Sequence, residues 1–349
     1  MARPLLAGVQ RPRPRDGAPP GRGAEVTLVS VVVPAHQEEA HLASALERLL
    51  RQTHAELEIL VVDDASTDGT EAIGRAFAEE HERIRYLRQD ENQGVAAARE
   101  RAVGEAAGEW VWLVDADDEW PETAVEAMLA AGEAGRADVV VAQAVTVDAT
   151  GSTPVGSLRG PLALSGRGAF TALLVGELTG HLWNKLFRRE LFDGIDFTRI
   201  RQHSDQAQVA QLLAAADEVV VVPDSVYEYR LRSGSIIRSG AKRADSLAGL
   251  AAVIERTARG LDPRLLDSQD YSYYRARFSL LSRFKDATSG AHSPEEAGRL
   301  WRAAHDEAGL RHLVALVRRR DLKRSVLFGL AAAAPALYRA AMSAGNGRR

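Results

Sequence analysis

Apolar and polar positions in the first half of the chain alternate in blocks rather than singly. "VTLVSVVVPA" is a β-branched run ending just past Pro34, and it leads into a stretch in which Leu42, Leu46 and Leu49 share one helical face. The pattern then repeats. "LEILVVDDA" reads as a second strand, a helix follows "STDGT", "RIRYLRQ" reads as a weaker strand, and Val95 to Ala107 as an Ala-rich helix. "EWVWLVDADD" is the next strand, with a helix expected from Pro121, a residue suited to a first helical turn. "ADVVVAQAVTV" closes this half. Uniformly apolar strands alternating with helices predict an α/β fold: a mostly parallel sheet, covered on both faces and wound by right-handed crossovers.

Turn residues dominate from about Gly151 to Gly180. Beyond them come "HLWNKLFRREL", a helical "SDQAQVAQLLAAA" and "EVVVVPDSVYEYRLRSGS", a strand interrupted at Pro223. From Lys242 the pattern is mostly helical. The expected organisation is a disordered leader over 1–25, an α/β domain over 26–238 and a helical C-terminal region over 239–349, with no internal repeat.

Ligands of such sheets bind beyond the carboxyl ends of the strands, where loops converge. Here the polar clusters follow strand ends: "PAHQEE" the first, "DDAST" the second and "DADDEW" the fourth. His36, Asp64 and Asp117 are therefore expected on one rim although distant along the chain.

Composition narrows the reading. With 349 residues and 46% hydrophobic content, the chain can bury a large core. A net charge of -4 and a pI near 6.2 give no global case for a nucleic-acid partner. The absence of cysteine excludes disulfides, thiolate metal sites and cysteine nucleophiles, and it fits a reducing cytoplasm. The leader mixes Pro, Arg and Gly and lacks the apolar core of a secretory signal.

Carboxylates crowded at the end of a buried strand repel one another and need solvent, basic side chains or a cation to compensate them. Asp115 and Asp117, two apart on a turn, can aim at one point, and hard divalent ions favour oxygen ligands, so Mn²⁺ or Mg²⁺ fits best. Two carboxylates leave coordination places that a nucleotide diphosphate can fill. The plainer alternative is a solvated acidic turn capping the following helix. If bond breaking leaves charge on a diphosphate, an acceptor hydroxyl must lose a proton, and Asp205, where a loop enters a helix, is a candidate to take it. A helix cap at Ser204 or Asp205 is the competing explanation.

Three blocks in order, "VSVVVPAHQEEAHLASALERLLRQTHAELEILVVDDASTDGT", "DENQGVAAARERAVGEAAGEWVWLVDADDEWPE" and "WNKLFRREL...SDQAQVAQLL...VYEYRLRSGS", resemble an inverting glycosyltransferase of family 2, of the bacterial cell-surface polysaccharide type. The match runs over roughly residues 27–235. The resemblance implies a GT-A fold, Rossmann-like with a mostly parallel sheet, a nucleotide-sugar donor (a UDP-sugar foremost) and a divalent cation. It places Pro34, Ala35 and His36 beside the nucleotide base and has Asp64 hydrogen-bond that base. Arg99 lies near the donor, Asp115 and Ala116 face the ribose or metal, and Asp117 ligates the cation. Asp205 stands at the catalytic base, and Trp183, Asn184 and Lys185 border the acceptor, a glycan, polymer or lipid-linked sugar. His36 and Gln37 replace the usual Tyr and Asn, Glu100 a usual Asn, and Ser204 the acid that normally precedes the base. These departures bear on donor identity.

Several of these residues have simpler roles available. Trp183 can be core, Lys185 can pair with a surface carboxylate, and one of Tyr227 and Tyr229 should pack inward. His203 has no partner histidine at metal-ligand spacing. A receiver-like signalling module would explain "ILVVDDAS" and "VWLVDADDEWP", but a receiver would begin with the double-Asp strand, and here "VSVVVPAHQEE" comes first. A sugar-phosphate nucleotidyltransferase wants a Gly-rich basic loop that "PAHQEEAH" does not offer. Near the end, five basic residues from Arg318 to Arg324 precede an apolar run from Val326 to Tyr338. A helix of that length, about 20 Å, cannot span a roughly 30 Å hydrocarbon core. Residues 318–342 either lie on the inner face of the cytoplasmic membrane as a peripheral contact or pack as a terminal helix.

Overall fold

A computed structural model describes residues 27–148, 151–230 and 243–346. The expected leader and the expected boundary at 238–239 lie outside the described residues. Two compact units emerge. The larger holds the chain to Phe170, Gly176–Arg199 and the stretch from Asp205 to the end of the last strand; the smaller holds Thr171–Val175, Ile200–Ser204 and residues 243–346.

In the larger unit β1 (Val29–Ala35), α1 (Leu42–Leu50), β2 (Leu57–Asp63), α2 (Thr70–Glu80), β3 (Ile84–Arg88), α3 (Val95–Glu105) and β4 (Trp110–Leu113) follow the order of the apolar blocks. Leu42, Leu46 and Leu49 are fully buried, as their spacing requires. β1 pairs in parallel with β2 on one side and with β4 on the other, and β2 pairs with β3. The chain thus winds outward from β1 to β3 and returns to β1's other edge. That reversal opens a crevice at the carboxyl ends of β1 and β4, where His36 and Asp115 emerge.

After α4 (Ala124–Gly135) come β5 (Val139–Asp148), β6 (Gly151–Pro154), β7 (Leu162–Ser165), α5 (Gly166–Val175), β8 (Lys185–Arg188), α6 (Ser204–Ala215) and β9 (Glu218–Arg230). Among the described residues the strands run β3-β2-β1-β4-β8-β5-β9-β7, with β6 off β5. β8 is antiparallel to both β4 and β5. A receiver's all-parallel sheet has no place for it. Two sequence expectations need correction. Helix α4 begins three residues after Pro121, because a turn comes first, its Pro121 carbonyl accepting from Ala124 N–H at 3.1 Å and from the Gln52 amide at 2.8 Å. The strand carrying Pro223 is one strand, with register shifts against β5 where Pro223 cannot donate.

The smaller unit is helical: α7 (Ala244–Leu261), α8 (Gln269–Tyr274), α9 (Leu281–Ala287), α10 (Pro294–Glu307), α11 (Leu310–Arg318), α12 (Leu322–Ala333) and α13 (Pro335–Asn346), with a π-helical turn joining α8 to α9. Phe284, Trp301 and Tyr338 pack ring against ring at its centre. The apolar run from Val326 to Tyr338 is not one helix, since Pro335 starts a new one and forbids a helical Ala334. Among the described residues no helix is long and apolar enough to cross a membrane.

Candidate active site

The rim at the ends of β1, β2 and β4 is built from turns that force backbone into unusual conformations. Gln37 and Ala65, just past β1 and β2, adopt φ of 60° and 56°, left-handed values that a side chain tolerates only when surroundings impose them. Cross-links between the two turns do so: Gln37 N–H donates to Ser66 Oγ at 3.0 Å, and Asp64 N–H to the Ala35 carbonyl at 2.8 Å.

Asp64 is buried, and its carboxylate accepts from the backbone N–H groups of Gln93 and Gly94, both at 2.7 Å, and from the Gln89 side chain. It thereby fixes the loop ahead of α3. His36 belongs to the same assembly, with Nδ1 against the Asp64 carbonyl at 2.8 Å and Nε2 against the Asn92 amide at 3.0 Å. Ala35 is buried and Pro34 partly so.

Helix α3 then delivers Arg99, 3% exposed, beneath the end of β4. Its guanidinium donates to Asp115 Oδ1 at 3.3 Å and to Asp205 Oδ1 at the start of α6. The two carboxylate side chains remain 33% and 27% exposed, so a ligand can reach both. Burial pushes both carboxyls up, but at Asp205 the Arg99 charge outweighs burial and holds the group below its ordinary range. At Asp115 burial prevails, helped by the charges of Asp205 and Asp117, and the net direction is upward.

Asp118 lies deeper, 1% exposed, and burial, with Asp115 and Asp117 adding to it, pushes its carboxyl up to about 8. One oxygen accepts from Arg230 N–H at 3.2 Å, and the Tyr227 hydroxyl bears on the same carboxyl. Arg99 is the cation that bridges Asp115 and Asp205, while Arg48 reaches Asp118 only at its backbone carbonyl, at 3.0 Å. Asp115 and Asp117 fit a hard divalent ion by the chemistry of their oxygens and by the repulsion such an ion would relieve. Among the described residues no three acidic or histidine side chains converge into a ready-made metal cage, so further ligands would have to come from elsewhere.

Beneath the acids stands an aromatic stack. Tyr227, fully buried on β9, lies 4.4 Å from Trp183 and 5.8 Å from Trp120, and Trp183 lies 4.6 Å from His181. The Tyr227 hydroxyl accepts from Asp115 N–H at 3.1 Å. Trp183 is 2% exposed and its carbonyl accepts from Trp112 Nε1 at 2.7 Å. Lys185 is not a surface partner for a carboxylate, since it is fully buried and donates to the His181 carbonyl at 2.6 Å and to Asn184 Oδ1 at 2.8 Å. Burial lowers it to about 7, opposed by the charge of Asp205. Asn184 is held in turn by the Ala142 carbonyl at 2.7 Å.

The fold therefore gathers Arg99, Asp115, Ala116, Asp117 and Asp205 at one opening, with His36 and Asp64 on the adjoining loops. Trp183, Asn184 and Lys185 are buried beside them, Trp183 stacked on Tyr227 and Lys185 close enough to Asp205 to feel its charge. Asp118, the third acid of the strand-end cluster, and Tyr227, the inward member of its pair, join this group, and His181, which no sequence pattern marks, stacks beside them. The "YEY" alternation on a strand was the one available signal for Tyr227.

Residues 30–195 match the family model described as Glycosyl transferase family 2. Glycosyltransferase GlyG of Streptococcus pneumoniae is 29% identical over 268 residues, 74% of this chain and 88% of that protein. The teichuronic acid biosynthesis glycosyltransferase TuaG of Bacillus subtilis, so named putatively, is 29% identical over 66% of this chain and 89% of its own. Among solved structures, S. aureus TarS 1-349 in complex with UDP-GlcNAc superposes with a TM-score of 0.70 at 20% identity, covering 92% of each chain. Mannosyltransferase PcManGT from Pyrobaculum calidifontis, in complex with GDP-Man and Mn²⁺, gives 0.52 at 20% identity over 96% of this chain and 91% of that one. These structural likenesses establish the GT-A fold.

Proposed function

This chain belongs to glycosyltransferase family 2, and we propose that it moves a sugar from a nucleotide-sugar donor to a hydroxyl of a cell-surface glycan, polymer or lipid-linked acceptor, inverting the anomeric centre in one displacement. The observation that carries the reading is the reach of Arg99 between Asp115, at the strand end, and Asp205, on the far side of the opening.

In this reading the loops carrying Pro34, Ala35, His36 and Asp64 receive the nucleoside, with Asp64 acting chiefly by fixing the Asn92–Gly94 loop. Arg99 and Asp115 face the donor, with Ala116 between the two acids. A divalent cation, Mn²⁺ or Mg²⁺, held by Asp115 and Asp117, would supply positive charge against the diphosphate and its leaving-group charge. Asp205 accepts the proton of the attacking hydroxyl while that oxygen bonds to the anomeric carbon and the carbon–oxygen bond to the nucleotide breaks. A general base of this kind contributes about 10²- to 10⁴-fold. The buried Trp183, Asn184 and Lys185 hold the acceptor-side wall in shape. A UDP-sugar is the favoured donor, supported by the nucleotide in the TarS complex; the GDP-Man complex of PcManGT leaves guanosine donors to be tested.

The test is a thermal-shift panel of nucleoside diphosphates with and without Mn²⁺, followed by NMR of the product from the best donor. An inverted anomeric configuration upholds the mechanism. A retained configuration, or no metal-dependent shift with any nucleotide, removes it.

A further inference from the structure

The chemistry that sugar transfer leaves unused is concentrated in the smaller unit, at the corner where α11 gives way to α12. Val317 is 51% exposed, Leu322 69% and Val326 63%, more than residues that hold helices together would show. All three fall within ten consecutive residues, so the chain itself keeps them close. Leu322 and Val326 stand one turn apart on the same side of α12. The apolar residues that do serve the core, Phe328 and Ala331, are buried.

Between these apolar tips lie Arg318, Arg320 and Lys323, all exposed and without a carboxylate partner among the described residues. Their neighbours are committed: Arg319 to Asp270 at 2.6 Å and Arg324 to Asp321 at 3.0 Å. Asp321 is the single acid in the sequence from Leu310 to Asn346, against seven arginines and lysines, in a chain whose overall charge is negative. Arg320 itself takes a left-handed φ of 56°, which turns the backbone sharply at the centre of the corner.

We infer that this corner docks on an anionic lipid bilayer, with the apolar tips entering the headgroup boundary and the unpaired cations lying among the phosphates. The mixture decides the partner. A nucleic-acid backbone has no use for Leu322 and Val326, and no exposed aromatic accompanies them for base stacking. A second copy of the same corner would meet it with like charge. An anionic leaflet satisfies both components, since apolar burial and phosphate attraction add. Each basic residue close to such a surface strengthens binding by about fivefold, so three account for about a hundredfold. The inference is independent of the sugar-transfer reading.

The experiment is co-sedimentation of the full chain with vesicles of phosphatidylcholine alone or mixed equally with phosphatidylglycerol. Binding is expected only to the mixed vesicles and should be released by salt. The Arg318→Gln/Arg320→Gln/Lys323→Gln variant should lower the partition coefficient by about a hundredfold, and Leu322→Ser/Val326→Ser should weaken it at fixed charge, both with the thermal transition unchanged. Equal partition to both vesicle types, variants that bind like the parent, or a self-association that these variants dissolve would each overturn the proposal.

Discussion

Arg99 and Asp205 are 106 residues apart in sequence and in direct contact through a guanidinium that is almost wholly buried. Because the same guanidinium also holds Asp115, the acid proposed to take a proton and the acid proposed to face the donor share one cation. A base so held has a depressed proton affinity. Its strength as a base therefore depends on how firmly Arg99 stays engaged once Asp115 has other company.

Removing that cation should leave two acids facing each other. Arg99→Met is expected to cost about 3–5 kcal/mol, the usual penalty for stripping one partner from a buried ion group. Urea unfolding would measure it, and Mn²⁺ with nucleoside diphosphate should stabilise the variant more than the parent. A variant as stable as the parent contradicts the compensating role.

The two acids should separate by function. Asp205→Asn is expected to keep metal-dependent nucleotide binding and lose about 10²- to 10⁴-fold in turnover. Asp117→Asn should lose binding and turnover together. Calorimetric titration alongside a donor-consumption assay distinguishes them, and full turnover by Asp205→Asn excludes it as the base.

Lys185 gives a pH signature. Its folded value of about 7 lies below the ordinary 10.5, so between those pH values the unfolded chain binds more protons than the folded one. Stability contributed at this position therefore rises as pH increases from 7 toward 10. His181, pushed down to about 4 by burial and by Lys185, adds a loss of stability as pH falls from the ordinary 6.5 toward 4. In Lys185→Met the alkaline rise should be absent while the acid loss persists. Parallel pH–stability curves for parent and variant above pH 7 would argue against a buried, titrating amine.

Tyr227 and Trp183 test the stack. Tyr227→Phe removes a hydroxyl that accepts from the Asp115 amide and should cost about 1–3 kcal/mol. Trp183→Ala should cost about 3–5 kcal/mol, because the ring packs on both sides. Were Trp183 instead an exposed sugar platform, the second variant would lose acceptor affinity with little change in its unfolding midpoint.

Much of this was legible in the chain. The parallel half could be read because its strands are buried on both faces and so are apolar without interruption, and the polar residues at their ends mark the rim directly. β8 could not be read, since four residues of "KLFR" carry no period and become a strand only through pairing with β4 and β5. The contact of Arg99 with Asp205 was likewise invisible, because nothing local in "AAARE" or "HSDQA" records a partner a hundred residues away. Asp118 belongs to the run of acids at the strand end, but nothing local marks it as the one that is buried. Its burial follows from β9 crossing behind it, where Glu228 pairs with Glu119.

The antiparallel strand β8 also has a bearing on how such enzymes diversify. Both of its neighbours grip it by backbone hydrogen bonds, so its register is independent of the length of chain arriving from β5. The exposed strand β6, paired only with β5 among the described residues, can be exchanged while β7, α5 and Trp183 keep their contacts and the loops carrying His36 and Asp64 keep their frame. Chimeras that exchange Gly151–Pro154 are accordingly the rational starting point for redirecting what the enzyme modifies.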